Sequence, residues 1–344
     1  MTRADSDTLL DPALDAVAQA MVICRHVQRS LDHLRAMTKD DRSPVTVADF
    51  ASQAIVAAIL RESLGELTLV GEESAAFLRQ PEHAAHLAAT VGSLRDTGVW
   101  PDATEADALA AIDLGAAEPR DWTHDGFWTL DPVDGTKGFL RAEQYCISLA
   151  FIRDGEVELG VLGCPNLAPE PDADPARPSE IGCIAYAVRE GGAMQRWETE
   201  AATVEIELDR PDLNPDQPAR LAESVESGHS NQEVSAKVMS DAGPTLPGLR
   251  IDSQCKYAVV ARGQADVYLR LPTRRGYVER IWDHAAGSLV AKEAGCTVTD
   301  VLGRPLDYSQ GRGLEGNVGI LGAPPHLHAR LLGALERLGV GRGQ

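Results

Sequence analysis

Apolar residues recur at helical spacing across residues 10–34. Leu14, Val17, Ala18, Met21, Val22, Val27, Leu31 and Leu34 predict an amphipathic helix there. Ser43-Pro44 breaks that pattern. Thr46 can then cap a second helix to about residue 64, with Ile55, Ile59 and Leu60 on its apolar stripe. Asp49 falls in the first turn of this predicted helix, where a carboxylate suits the helix dipole. Residues 68–70 read as a short strand running into Gly71-Glu72-Glu73-Ser74. The Ala-, Asp- and Glu-rich stretch over 79–125 reads as helical, and 127–130 as a strand. Residues 145–153 and 156–163 alternate as two strands, and Asp154-Gly155 between them is a strong hairpin signal. A Pro-rich loop over 165–178 precedes a strand at 184–188 and a turn at Gly191-Gly192.

The polar, proline-containing stretch 209–218 marks a boundary. Beyond it, strands and helices alternate: strand 221–225, helix 231–242, helix 255–262, strand 267–271, strand 318–321 and helix 325–338. A further helix over 284–294 is expected to be capped by Asp283 and closed by Gly295 in a left-handed conformation. The chain is therefore expected to divide into an α+β part, residues 1–210, and an α/β part, residues 211–344.

Composition narrows the class of function. The 344 residues are 44% hydrophobic and 24% charged, which suits a globular core. The net charge of −20 repels polyanions at long range and argues against a nucleic-acid-binding surface. A small anionic substrate stays possible where local cations override the global field. Six scattered cysteines, with no CxxC pair, argue against a zinc site or a disulfide scaffold and fit a reduced cytoplasmic protein. No secretory signal and no membrane span are expected.

Four acid-bearing segments share one design: Asp49 in SPVTVAD, Glu72 and Glu73 in VGEES, Asp131 and Asp134 in LDPVDGT, and Asp283 in WDHAAG. Each acid sits at an apolar-to-turn junction or a helix start, where the backbone can aim it. Carboxylates gathered in one pocket repel one another, and burying them is costly unless cations neutralise them. Oxygen ligands without His or Cys companions point to Mg²⁺. In WTLDPVDGTKGFL, Pro132 turns the chain straight after Asp131, so that Asp131 and Asp134 converge. The Val133 carbonyl between them can serve as a further ligand. Gly135 lets the backbone approach an anion, and Thr136 and Lys137 open a turn or helix with free N–H groups. Alone, DPxDG is an Asx-turn signal, Glu72-Glu73 ordinary helix-start chemistry and Asp283 an ordinary N-cap. Their joint occurrence in this order carries the specificity.

Together with ESVESGHS, DSQCKYAVVARGQADVYLRLP and GCPN, these segments resemble the Mg²⁺-dependent, lithium-sensitive phosphatases related to inositol monophosphatase. Within that family the chain is most similar to the 3′(2′),5′-bisphosphate nucleotidases, and the resemblance covers most of its length. It implies a layered αβαβα sandwich. It also implies two or three Mg²⁺ ions on Glu72, Asp131, the Val133 carbonyl, Asp134 and Asp283. Asp49 and Thr136 would orient and deprotonate the attacking water. Gly135, Thr136, His229, Ser253, Lys256, Arg270 and Asp283 would bind substrate, with Ser230 beside them. The expected reaction is hydrolysis of adenosine 3′,5′-bisphosphate to AMP and phosphate, with 3′-phosphoadenylyl sulfate as a second substrate. The substrate alternative is an inositol phosphate, and the alternative from another class is a non-catalytic nucleotide sensor. A monomer or homodimer is expected. The departures lie in the insert over 92–124 and the Pro-rich loops. Trp282 reads as core packing that fixes Asp283, and Arg274-Arg275, which could border the pocket, reads rather as a solvated loop.

Overall fold

The computed structural model describes residues 3–35, 43–118, 126–214, 216–225, 231–272, 274 and 276–341. Helix α1 spans Arg3–Arg35 and α2 spans Ser43–Leu64. Ser43-Pro44 opens α2 rather than breaking the pattern before it, because proline lacks only an N–H that the first turn leaves unpaired anyway. Asp49 therefore falls in the second turn, and the dipole does not account for its position. The apolar stripe of α1, including Ala13, Val17, Ala20 and Ile23, is buried together with Ala48, Ala51, Ala54 and Ile55 of α2. Two short helices, α3 (Ala84–Asp96) and α4 (Glu105–Asp113), pack beside α2. Thr104 and Asp107 form a reciprocal capping box at the start of α4.

The first sheet contains β1 (Leu69–Gly71), β2 (Phe127–Asp134), β3 (Cys146–Arg153), β4 (Glu156–Cys164), β5 (Cys183–Val188), β6 (Gly192–Glu198) and β7 (Thr203–Leu208). These strands lie in sequence order, with β1 parallel to β2 and every later pair antiparallel. The β3–β4 turn has positive φ at both Asp154 and Gly155, the backbone a two-residue hairpin requires. A short helix, α5 (Thr136–Arg141), joins β2 to β3.

The second sheet contains β8 (Leu221–Glu223), β9 (Leu249–Arg250), β10 (Val267–Arg270), β11 (Thr297–Thr299) and β12 (Ile320–Ala323). Its order is β11-β12-β10-β8-β9, with β8 parallel to both neighbours and β12 antiparallel to both of its own. The remaining helices are α6 (Gln232–Ala242), α7 (Cys255–Ala261), α8 (Ala285–Glu293) and α9 (Pro325–Arg337).

Contacts and apolar clusters order these elements into five layers. α1 and α2 cover one face of the first sheet. α7 and α8 lie between the two sheets, and α6 and α9 cover the far face of the second. This is the layered αβαβα sandwich that the resemblance implies. The segment between β7 and β8 carries the chain from one sheet to the other, yet α8 returns to pack against β4. Asp283 does not cap α8: His284 holds the N-cap position, with no side-chain cap bond. At the other end Gly295 does take the left-handed conformation, φ 105°.

All six cysteines are buried and unpaired. Among the described residues, no helix is long and apolar enough to cross a membrane.

Small residues let α8 approach its neighbours. A Cβ on Gly160 of β4 would lie 2.8 Å from the Ala286 carbonyl oxygen, and one on Gly287 would lie 2.1 Å from Cδ2 of Tyr257. The Tyr257 ring cannot yield freely, because its hydroxyl is bonded to the buried His284 at 3.0 Å. Gly287→Ala is therefore expected to lower stability by about 2 kcal/mol, overpacking outweighing the better helix propensity of alanine. A urea midpoint equal to or above that of the parent would contradict this packing.

Candidate active site

β2 runs past Leu130 through Pro132 to Asp134, further than the apolar pattern predicts. Asp131 pairs with Ser148 and Asp134 with Cys146, so three steps along β2 match two along β3. In a regular strand, residues three apart point to opposite faces; the one-residue bulge cancels that alternation. Asp131 and Asp134 consequently line the same cavity. Pro132 does not turn the chain, as expected from sequence, but sits within the bulge, where its missing N–H costs no ladder bond. Its carbonyl accepts a hydrogen bond from the Ser52 hydroxyl at 3.0 Å, which ties the bulge to α2. The Val133 N–H donates to Asp131 Oδ1 at 3.1 Å.

Gly135 follows with φ 88°. A Cβ there would lie 2.8 Å from the Ser253 Cβ, so the glycine is required for contact with the segment leading into α7. The same segment is held by Asp134, whose Oδ2 accepts the Gln254 N–H, and by a salt bridge from Arg141 to the buried Asp252. Thr136 and Lys137 stand exposed on the cavity wall.

Glu72 follows directly on β1, and its N–H donates to the Leu130 carbonyl at 3.1 Å. Gln53 clamps the next residue: its Nε2 donates to the Glu73 carbonyl at 2.8 Å, and its Oε1 accepts the Glu73 N–H at 3.1 Å. Asp49, one turn earlier on α2, is buried behind these acids and does not reach the cavity wall. Asp283 does reach it. Trp282, buried as predicted, holds it in place through its carbonyl, which accepts Ser148 Oγ at 3.1 Å and Gln254 Nε2 at 2.8 Å. Gln254 thus bonds to the backbone beside one acid and to the carboxylate of another. Nothing in the sequence marked it beyond its place within DSQCKY.

The cavity has a volume of about 570 Å³ and lies where the two sheets meet. Its walls include Glu72, Asp131, Val133, Asp134 and Asp283, and also Gly135, Thr136, Ser253, Lys256 and Arg270. His229, Ser230 and Arg275 lie outside the described residues. Lys256 is buried, its Nζ 3.3 Å from both Ser224 Oγ and the Ile251 carbonyl. Burial pulls its pKa below the usual lysine range, opposed by the nearby Asp134. Arg270 donates to Glu279 at 2.8 Å and to the Tyr277 hydroxyl at 3.3 Å. Glu279 also contacts His284 Nε2 at 3.2 Å. Arg270 is thus both ion-paired and part of the cavity wall. Arg274 lines the cavity too, where the sequence suggested a solvated loop. Ser224, Tyr268 and Tyr277 are wall residues that sequence reasoning did not single out, although Ser224 lies within ESVESGHS and Tyr268 within DSQCKYAVVARGQADVYLRLP.

The acids disturb one another. Burial, followed by Glu72 and Asp134, pushes Asp131 well above the carboxylate range. Burial and Asp134 raise Asp283 to about 6. Glu72 is open to the cavity, yet the surrounding protein and Asp283 raise it to about 7. Asp49 is pushed well up by its burial and by Glu73. Such a set, with oxygen donors only, fits a hard divalent cation. The one group of described residues whose ligand atoms all lie within 4.8 Å of one another is Glu279, Asp283 and His284. In that group Glu279 and His284 are already bonded to each other, to Arg270 and to Tyr257.

A carboxylate-lined cavity between the sheets of an αβαβα sandwich defines a class of metal-dependent phosphatases. Residues 5–339 match the inositol monophosphatase family, and the chain belongs to it. A 3′(2′),5′-bisphosphate nucleotidase of Emericella nidulans is 38% identical over 322 residues, 88% of this chain and 90% of that protein. One from Schizosaccharomyces pombe is 39% identical over 300 residues, 84% of this chain and 82% of its own length. Among solved structures, an inositol monophosphatase from Zymomonas mobilis superposes with a TM-score of 0.60 at 18% identity, covering 98% of this chain and 100% of that one. CysQ from Bacteroides thetaiotaomicron gives 0.58 at 20% identity, covering 93% and 97%.

The raised acids set the sign of a pH effect. A carboxyl with a raised folded pKa binds more protons folded than unfolded, so stability falls as pH rises from the ordinary carboxylate range through that value. Asp283 at about 6 and Glu72 at about 7 place the loss in the metal-free protein between roughly pH 4 and 7. A bound cation removes the repulsion. The rise in Tm on adding Mg²⁺ should therefore be small at pH 5 and large at pH 8; a shift of equal size at both would contradict this reading.

Proposed function

We propose that the protein is a Mg²⁺-dependent phosphoric monoester hydrolase that removes the 3′-phosphate of adenosine 3′,5′-bisphosphate, giving AMP and phosphate. One observation carries the reading: a single cavity holds both the acid set and two cations, the buried Lys256 and the partly buried Arg270. The curated relatives' names support the substrate. 3′-Phosphoadenylyl sulfate, with the same 3′-phosphate, is a second substrate of this reading.

Glu72, Asp131, Asp134, Asp283 and the Val133 carbonyl would hold two or three Mg²⁺ ions, which would supply charge neutralisation for phosphoryl transfer. Thr136 orients the attacking water from the cavity wall, and Asp49, behind Glu72, takes part in receiving its proton. No covalent intermediate on the protein is needed. Lys256 and Arg270 hold the phosphate that is not cleaved, as charge-assisted donors. Ser253, at φ 64° and 8% exposed, presents its backbone and hydroxyl beside them, and His229 completes the nucleotide contacts. Gly135 and Asp283 border the scissile phosphate. Lithium inhibition accompanies this reading.

Phosphate release with millimolar Mg²⁺ should be fastest from adenosine 3′,5′-bisphosphate, and slow from inositol 1-phosphate and inositol 1,4-bisphosphate. Preference for an inositol phosphate would overturn the substrate, and binding of the nucleotide without turnover would make the protein a sensor. Asp134→Asn should lower kcat/KM by about 100-fold or more, since ligand changes exceed the effect of losing a ligand's partner. Lys256→Met should raise KM for the nucleotide about tenfold, the loss of one charge-assisted bond. An unchanged KM in that variant would remove Lys256 from the binding site.

A further inference from the structure

Glu72 follows β1 of the first sheet and Asp283 lies in the loop before α8, and each raises the pKa of the cavity's acids. Something must hold their backbones together against that repulsion. Arg312, in the loop before β12, is the side chain that bridges them. Its carbonyl accepts the Ile281 N–H at 3.2 Å, two residues before Asp283, and Arg280 and Gly313 form an adjacent β-bridge. Its guanidinium then crosses to the first sheet. Nη2 donates to the carbonyl of Gly71, the residue before Glu72, and Nη1 donates to the Ala117 carbonyl at 3.3 Å. The same group lies 4.9 Å from the centre of the Trp282 ring, the residue before Asp283. Ala117 belongs to the returning end of the 92–124 insert, and its N–H donates to the Leu69 carbonyl at 3.2 Å, on β1. One planar fork thus ties the backbone leading to each acid. Arg312 does not line the cavity.

We propose that Arg312 is a positioning residue that sets the spacing of Glu72 and Asp283, and through it the affinity of the cavity for a divalent cation. The inference rests on the reading of these acids as a cation site. Its sign separates it from simple electrostatics. Glu72 is among the charges acting on the Arg312 guanidinium, so removing that positive charge alone should strengthen cation binding. Loss of positioning should weaken it. Lysine keeps the charge but lacks the planar fork that reaches two carbonyls from separate nitrogens while resting over a ring.

The test is a calorimetric titration of the full chain with Mg²⁺ alone, without substrate, comparing the parent with Arg312→Lys and Arg312→Gln. Both variants should bind Mg²⁺ about 10- to 100-fold more weakly. Phosphatase activity should return as Mg²⁺ is raised to fill the weakened site. Unchanged affinity, or tighter binding in Arg312→Gln, would overturn the proposal, even if the melting temperature fell. If Arg312→Gln does not fold, Arg312→Lys decides alone. A parent that binds no Mg²⁺ would overturn the cation reading itself, a failure distinct from variants that match the parent.

Discussion

Repulsion among carboxylates clustered in one cavity is the constraint around which this protein is built. Asp131, Asp134, Asp283 and Glu72 face one cavity; burial pushes each of them upward, and neighbouring acids add to the shift at Glu72, Asp131 and Asp283, whereas Lys256 and Arg270 oppose it at Asp134. A chain selected for stability alone would replace them with apolar residues, since burying unpaired charge is among the most destabilising things a sequence can do. The fold instead spends rigid elements on aiming them. A bulged strand holds two, the end of a parallel strand the third, and the loop before α8 the fourth.

The helix layer between the sheets makes that aiming possible. α7 and α8 are short and largely buried, and glycines at 160 and 287 let α8 pack closely against β4 and Tyr257. The segment leading into α7 is locked to the β2–α5 turn by Gln254, Arg141 and the missing Cβ of Gly135. Position in the acid cluster is therefore settled by contacts between sheets, not by local propensity. The Lys256 and Arg270 cations come from the same layer and its neighbouring strand, so acids and cations share one cavity wall.

Much of this was legible in the sequence. The Asp-Gly hairpin and the left-handed Gly295 follow from local chemistry, and the acid segments could be grouped by their shared junctions. Three features were misread for physical reasons. Pro132 suggests a turn, but only the pairing register of β3 reveals a bulge. Ser43-Pro44 suggests a break, although proline suits a helix start equally well. Asp283 has the residue type of a cap, and only the surrounding cavity shows that its carboxyl is used elsewhere. Strands β6 and β7 escaped notice because they are half-exposed and carry Gln, Arg and Glu between their apolar positions. Gln254 and Arg312 were invisible because their partners lie in distant segments, and a single sequence holds no trace of such contacts.

The account stands or falls on whether these acids carry protons that a cation must displace. The most direct measurement is the number of protons released when Mg²⁺ binds at pH 6.5, obtained by calorimetry in buffers of different ionisation enthalpy. With Glu72 at about 7 and Asp283 at about 6, the account predicts net proton release, declining toward zero by pH 9. Binding without proton release at pH 6.5 would mean that the carboxylates coexist fully charged, and the central claim would be wrong.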